Sequence, residues 1–148
     1  YFYKILSEDE FEEYYDLYGT YYDVEDGSEM HDLIAKSVVS AAEDLNVKVI
    51  VAATMSGFTA RKISNLKPDA PILATVPNDK VARSLVLNWG VYPVVTGEYA
   101  STDELVEDAV KRAKEFMELK KGDKILITGG FPNTGNKTTN FMKIEEIK

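Results

Sequence analysis

Between Val47 and Ser64 the chain reads VKVIVAATMSGFTARKIS, and Thr54, Ser56, Gly57 and Thr59 crowd the point where a strand gives way to a helix. The first N–H groups of a helix have no partner within it, so such a point attracts anions, phosphate above all. A second polar cluster runs from Gly129 to Asn140, with three glycines, Pro132 and two asparagines before Lys137, Thr138 and Thr139. Both clusters follow the C-terminal ends of strands, where ligands settle in open parallel sheets. The hydroxyls of Thr54, Ser56, Thr59, Thr138 and Thr139, backbone N–H groups and the Lys137 ammonium together supply donors for a phosphate. Two plainer readings stand beside this one. Ser56 or Thr59 can simply cap the helix, and the second cluster can be a hairpin connection.

Other chemistry has little to work with. Neither loop has the G-x-x-x-x-G-K-[ST] spacing of a nucleotide-hydrolysing phosphate loop. There are no cysteines, which excludes disulfides, a thiol nucleophile and Cys-ligated zinc or iron–sulfur centres. His31 is the only histidine; at the first turn of a helix beside acidic residues it reads as an exposed polar side chain, with no second imidazole to complete a transition-metal site. Trp89 reads as core or interface packing. Glu104 with Asp108, and Glu107 with Lys111, read as solvated helix charges. No catalytic triad or enclosed carboxylate pair is present.

These loops need a sheet to hold them, and the patterning supplies one. Met30, Leu33, Ile34, Val38, Ala41, Ala42 and Leu45 line one side of a helix over about 30–45. There follow strand 47–53, helix 59–66, strand 72–76, helix 80–89, strand 91–95, helix 102–119 and strand 124–128. Strand and helix in alternation imply a parallel sheet covered on both faces, and continuous apolar runs such as VIVAA and ILIT fit strands buried on both sides. The segment from Phe141 alternates and follows the preceding strand without a helix, so it should pair antiparallel as a sheet edge.

The chain has 148 residues, 45% of them hydrophobic, enough for one domain with a core. Its net charge of −8 is uneven. Residues 1–29 hold ten carboxylates against Lys4 alone, while the other 119 residues set 15 acids against 16 bases. Neither part has the basic footprint of a nucleic-acid partner. No apolar run is long enough to span a membrane and no signal-peptide pattern opens the chain, which points to a cytoplasmic protein. Residues 1–28 form an acidic segment with seven of the nine tyrosines, within which a short helix over about 8–18 has an aromatic face. Beginning with Tyr, the chain reads as a fragment.

From about residue 30 to its end the sequence resembles the C-terminal domain of the pyruvate kinases. The resemblance rests on SG-x-TAR, the PDAPI turn, GVYPV, KKGD and a terminal TTN-x-M-K, all in order. Residues 1–28 resemble a linker from the end of that family's catalytic barrel, and 29–148 the domain itself. The resemblance implies an α/β fold: a three-layer α/β/α sandwich on a mixed five-stranded sheet with the last strand antiparallel. It implies an effector-binding and subunit-assembly domain of an enzyme that turns phosphoenolpyruvate and ADP into pyruvate and ATP. Catalysis, with its magnesium and potassium, belongs to a barrel absent from this chain, so this domain carries no catalytic residue or cofactor of its own. The implied partners are that barrel, further copies of the chain and a phosphorylated small molecule.

Carried over residue by residue, the effector phosphate falls to Thr54, Met55, Ser56, Gly57, Phe58 and Thr59, and the effector loop to Gly130, Gly135, Lys137 and Thr138. Two departures narrow the ligand. Met55 and Phe58 stand where some regulated members place basic residues, and Leu105 or Val106 stands where members activated by fructose bisphosphate have an arginine. The expected effector is therefore a monophosphate, such as a sugar monophosphate or AMP, or the site has lost affinity. Two other classes of function stay open: a stand-alone phosphate-binding domain or small-molecule enzyme of this fold, and a structural module that makes subunit contacts through the edge strand.

Overall fold

The computed structural model describes residues 28–129 and 141–148, with side chains from residue 31 onward. The acidic tyrosine-rich segment before residue 28, with its expected helix, and the glycine-rich loop 130–140 lie outside the described residues. In chain order the elements are α1 (Ser28–Asp44), β1 (Ile50–Ala53), α2 (Phe58–Asn65), β2 (Ile72–Val76), α3 (Asp79–Leu85), β3 (Val91–Val95), α4 (Thr102–Phe116), β4 (Lys124–Gly129) and β5 (Phe141–Glu146).

The strands lie in the order β3-β2-β1-β4-β5. All neighbours run parallel except β4 and β5, which are antiparallel. Successive side chains on a strand point to opposite faces, and the sequence loads both. Ile50, Ala52, Ile72, Ala74 and Leu126 meet α1, α2 and α3 on one face. Val49, Val51, Leu73, Ile125 and Ile127 meet α4 on the other. The chain is thus an α/β/α sandwich with a mixed five-stranded sheet, as expected.

Several boundaries and faces differ from the sequence reading. The buried stripe of α1 is Ala35, Val38, Val39 and Ala42, whereas Leu33 is 66% exposed and Leu45 also faces outward. The buried i, i+3, i+4, i+7 set begins at Ala35 rather than at Met30. Helix α3 stops at Leu85 rather than Trp89, because the backbone N–H of Asn88 turns back onto the Leu85 carbonyl at 3.0 Å. Trp89 is consequently 50% exposed rather than core; its carbonyl accepts the Ser64 hydroxyl at 2.7 Å, which ties this turn to α2. Helix α4 stops at Phe116, and Met117 continues extended with φ −151°. Met117 and Leu119 then pack beneath the same face as the helix, which satisfies their apolar side chains without another helical turn.

Candidate functional site

The turn between β1 and α2 is built from side chains that look inward. The Thr54 N–H extends the ladder to the Thr75 carbonyl at 3.0 Å, and its nearly buried hydroxyl accepts the Gly57 N–H at 2.9 Å. That bond folds the chain back within three residues, as threonine hydroxyls commonly do at turns. Gly57 then takes φ 87°, ψ −4° as the N-cap of α2. A Cβ there would stand 3.0 Å from Leu85 Cδ2 and 3.3 Å from Arg61 Nη2. Both the left-handed backbone and the crowding require glycine.

With glycine at the cap, no N-cap side chain closes the helix start. Of the two expected caps, Ser56 reaches the first N–H of the helix. Ser56 Oγ lies 3.4 Å from the Phe58 N–H it accepts, a long contact, and Thr59 is buried in the first turn. Met55 and Ser56 face solvent, Phe58 is half-buried, and Thr54, Gly57 and Thr59 are inside. The turn therefore offers its outer surface as the Ser56 hydroxyl, the Met55 side chain and the positive end of the α2 dipole.

Arg61 is the residue that sequence reasoning left without a role. Its guanidinium donates to the Ser56 carbonyl at 3.3 Å and to the Ser84 hydroxyl at 2.9 Å, tying the turn to α3. The signal was present: four residues after Gly57 on a helix, Arg61 sits one turn above the cap.

The second loop leaves the sheet next door. Gly129 pairs with Phe141 across β4 and β5, and a Cβ on Gly129 would stand 3.1 Å from both Cβ and the carbonyl oxygen of Ala53. The chain enters residues 130–140 beside the start of the Thr54 turn. Gly130, Gly135, Lys137 and Thr138 themselves lie outside the described residues.

A third segment borders this end of the sheet. Residues 96–101, between β3 and α4, fold back onto the helix. The Tyr99 hydroxyl donates to Asp108 at 2.6 Å, the Ala100 N–H donates to Glu104 at 2.8 Å, and Arg112 lies 3.5 Å from Asp108. Both carboxylates thus anchor the loop; Glu104 keeps the exposure expected of it, whereas Asp108 is half-buried rather than solvated. Burial, with the bond to Asp108 behind it, pushes the Tyr99 hydroxyl above its ordinary pKa. Leu105 is buried in the core with Val106 packed beside it, so neither presents a cation to a ligand.

His31 also departs from expectation. Its ring stands edge-on to Phe58, with centroids 4.6 Å apart, and it is half-buried between α1 and α2 rather than exposed. Among the described residues no helix is long and apolar enough to cross a membrane.

A family model described as the pyruvate kinase alpha/beta domain matches residues 32–145. A pyruvate kinase of Clostridium acetobutylicum is 36% identical over 145 residues, which is 98% of this chain and 31% of that protein. One from Lactobacillus delbrueckii subsp. bulgaricus is 45% identical over 121 residues, 82% of this chain and 20% of that protein. A crystal structure of a pyruvate kinase from Cryptosporidium parvum matches with a TM-score of 0.68 at 32% identity, covering 78% of this chain and 22% of that one. The chain thus spans less than a third of the length of these curated relatives. It belongs to the pyruvate kinase family, and the matched region is that family's alpha/beta domain.

Proposed function

We propose that this chain is the effector-binding and subunit-assembly domain of a pyruvate kinase, holding a phosphate monoester on the turn 54–59. The observation that carries the reading is Gly57: a left-handed N-cap, closed in by Leu85 and Arg61, that leaves α2 without an N-cap side-chain bond. Helix starts of this kind stabilise phosphate through backbone N–H groups and the dipole. The neighbouring exit of the second loop beside Ala53 supports a contribution from Lys137 and Thr138. The interior placement of Leu105, with Met55 and Phe58 in the turn, favours one phosphate over two.

The parent enzyme would transfer phosphoryl from phosphoenolpyruvate to ADP in glycolysis, in the cytoplasm. Magnesium and potassium would serve that step in the catalytic barrel, and this domain would act on it through position and assembly. For assembly the sheet edges are unequal. On β3 the bonds from Ile72 N–H to the Gly90 carbonyl and from Thr96 N–H to the Val76 carbonyl turn the backbone of 91, 93 and 95 outward. Pro93 therefore removes a donor from that edge, which discourages strand addition. On β5 the bond from Ile147 N–H to the Asp123 carbonyl sets the alternation that turns Met142, Ile144 and Glu146 outward, with no proline. Edge β5 is the one suited to a second copy.

The test is thermal. A ligand that binds only the folded chain adds about 2.7 kcal/mol at 100 times its dissociation constant. AMP or a sugar monophosphate should raise the melting temperature; no shift with any phosphate compound would leave the purely structural reading.

A further inference from the structure

The N-terminal part of α1 meets α2 through four side chains. The His31 ring stands edge-on to Phe58 at 4.6 Å between centroids and 90° between planes. Lys62 reaches Asp32 at 2.8 Å, and the same ammonium lies 5.3 Å from the centre of the Phe58 ring. Phe58 directly follows Gly57, so whatever holds Phe58 also holds the turn. We propose that His31, Asp32, Phe58 and Lys62 form a proton-sensitive clamp between α1 and α2, and that protonation of the imidazole loosens the turn at Gly57. The coupling to a bound phosphate rests on the function proposed above; the clamp itself does not.

The physical case begins with His31 Nδ1, which is buried and meets no hydrogen-bond partner among the described residues. A neutral ring tolerates this at modest cost, whereas a charged ring would bury an N–H donor with no acceptor. Among the described residues, the charged groups that act on the ring are Lys62 on α2 and Asp32 on its own helix. Lys62 opposes a second cation beside it. Asp32 favours one, but its carboxylate is already paired with Lys62. Burial, then Lys62, hold the imidazole below its ordinary pKa, with Asp32 opposing. The neutral ring is therefore the form that the folded chain prefers. As pH falls from about 6.5, where an unfolded chain begins to take up the proton, clamp stability is lost until the folded ring is itself protonated.

His31 is the only histidine, so its ring protons give one unambiguous NMR titration. In the intact chain the expected midpoint lies below 6.5. The amides of Gly57 and Phe58 should shift with that same midpoint, and exchange protection at Ala35 and at Arg61, whose N–H bonds the Gly57 carbonyl at 3.0 Å, should fall several-fold across it after correction for intrinsic rates. Lys62→Met should raise the midpoint and Asp32→Asn should lower it, and both leave the ring in place should His31→Phe fail to fold. In His31→Phe, the titration of the Gly57 and Phe58 amides should vanish while the ring contact persists. A midpoint at or above 6.5, or loop amides that titrate unchanged in His31→Phe, would overturn the clamp. Adding AMP or inorganic phosphate separates the two readings. Binding that leaves the His31 midpoint untouched overturns the coupling alone, and no saturable shift of any amide overturns the phosphate reading while the clamp is judged by its own titration.

Discussion

The Thr54 hydroxyl accepts the Gly57 N–H at 2.9 Å, so the turn before α2 closes on itself and needs no ligand to keep its shape. Preorganisation of this kind lowers the ordering cost of binding. It also makes Gly57 the position where the turn is most easily broken.

Gly57→Ala should cost about 1–3 kcal/mol, the range for a non-glycine residue held in the left-handed region, with the approach to Leu85 Cδ2 adding to it. Urea unfolding would show a lower midpoint at an unchanged slope. An unaltered midpoint would mean that the turn relaxes without strain.

Tyr99→Phe removes a hydroxyl donated to a carboxylate in a half-buried setting. A loss of about 1.5–3 kcal/mol is expected, the scale of a hydrogen bond to a charged group. The pH dependence gives a second readout. Because the folded hydroxyl is held above its ordinary value, the unfolded chain loses the proton first, and stability falls as pH rises through about 10. Denaturation midpoints measured from pH 8 upward should show that fall in the parent chain and a weaker one in Tyr99→Phe.

Met142→Pro tests the edge strand. The backbone of Met142 turns away from β4, so proline there removes an outward donor while β4 and β5 keep their own ladder. Sedimentation should show a smaller assembly than the parent chain at matched concentration, with the circular dichroism of the fold retained. An unchanged sedimentation coefficient would place any self-association elsewhere.

Much of this architecture was legible in the sequence, for a physical reason. Strands buried on both faces, such as β1 and β4, need apolar side chains at every position, so VIVAA and ILIT announce them, and the lack of a helix before Phe141 announces the antiparallel edge. What failed depended on contacts distant in the chain. Trp89 and Leu119 continue an apolar pattern past the ends of α3 and α4, and nothing local says that Asn88 folds back or that Met117 packs underneath. Leu33 has the right spacing from a wrongly chosen start. Asp108 looks like any helix carboxylate until Tyr99 arrives from the preceding loop, and His31 looks exposed until α2 brings Phe58 against it. The candidate site was legible as a turn but not as a mechanism: Ser56 was expected as a cap and makes a long contact with the Phe58 N–H, but nothing local says that Gly57 is the left-handed N-cap or that Arg61 ties the turn to Ser84.

The decisive measurement is isothermal titration of the chain with AMP or a sugar monophosphate and, separately, with fructose 1,6-bisphosphate. Saturable binding of a monophosphate is expected, with no tighter binding of the bisphosphate, because Met55, Phe58 and the buried Leu105 supply no cation for a second phosphate. Tight binding of fructose 1,6-bisphosphate without binding of any monophosphate would contradict it.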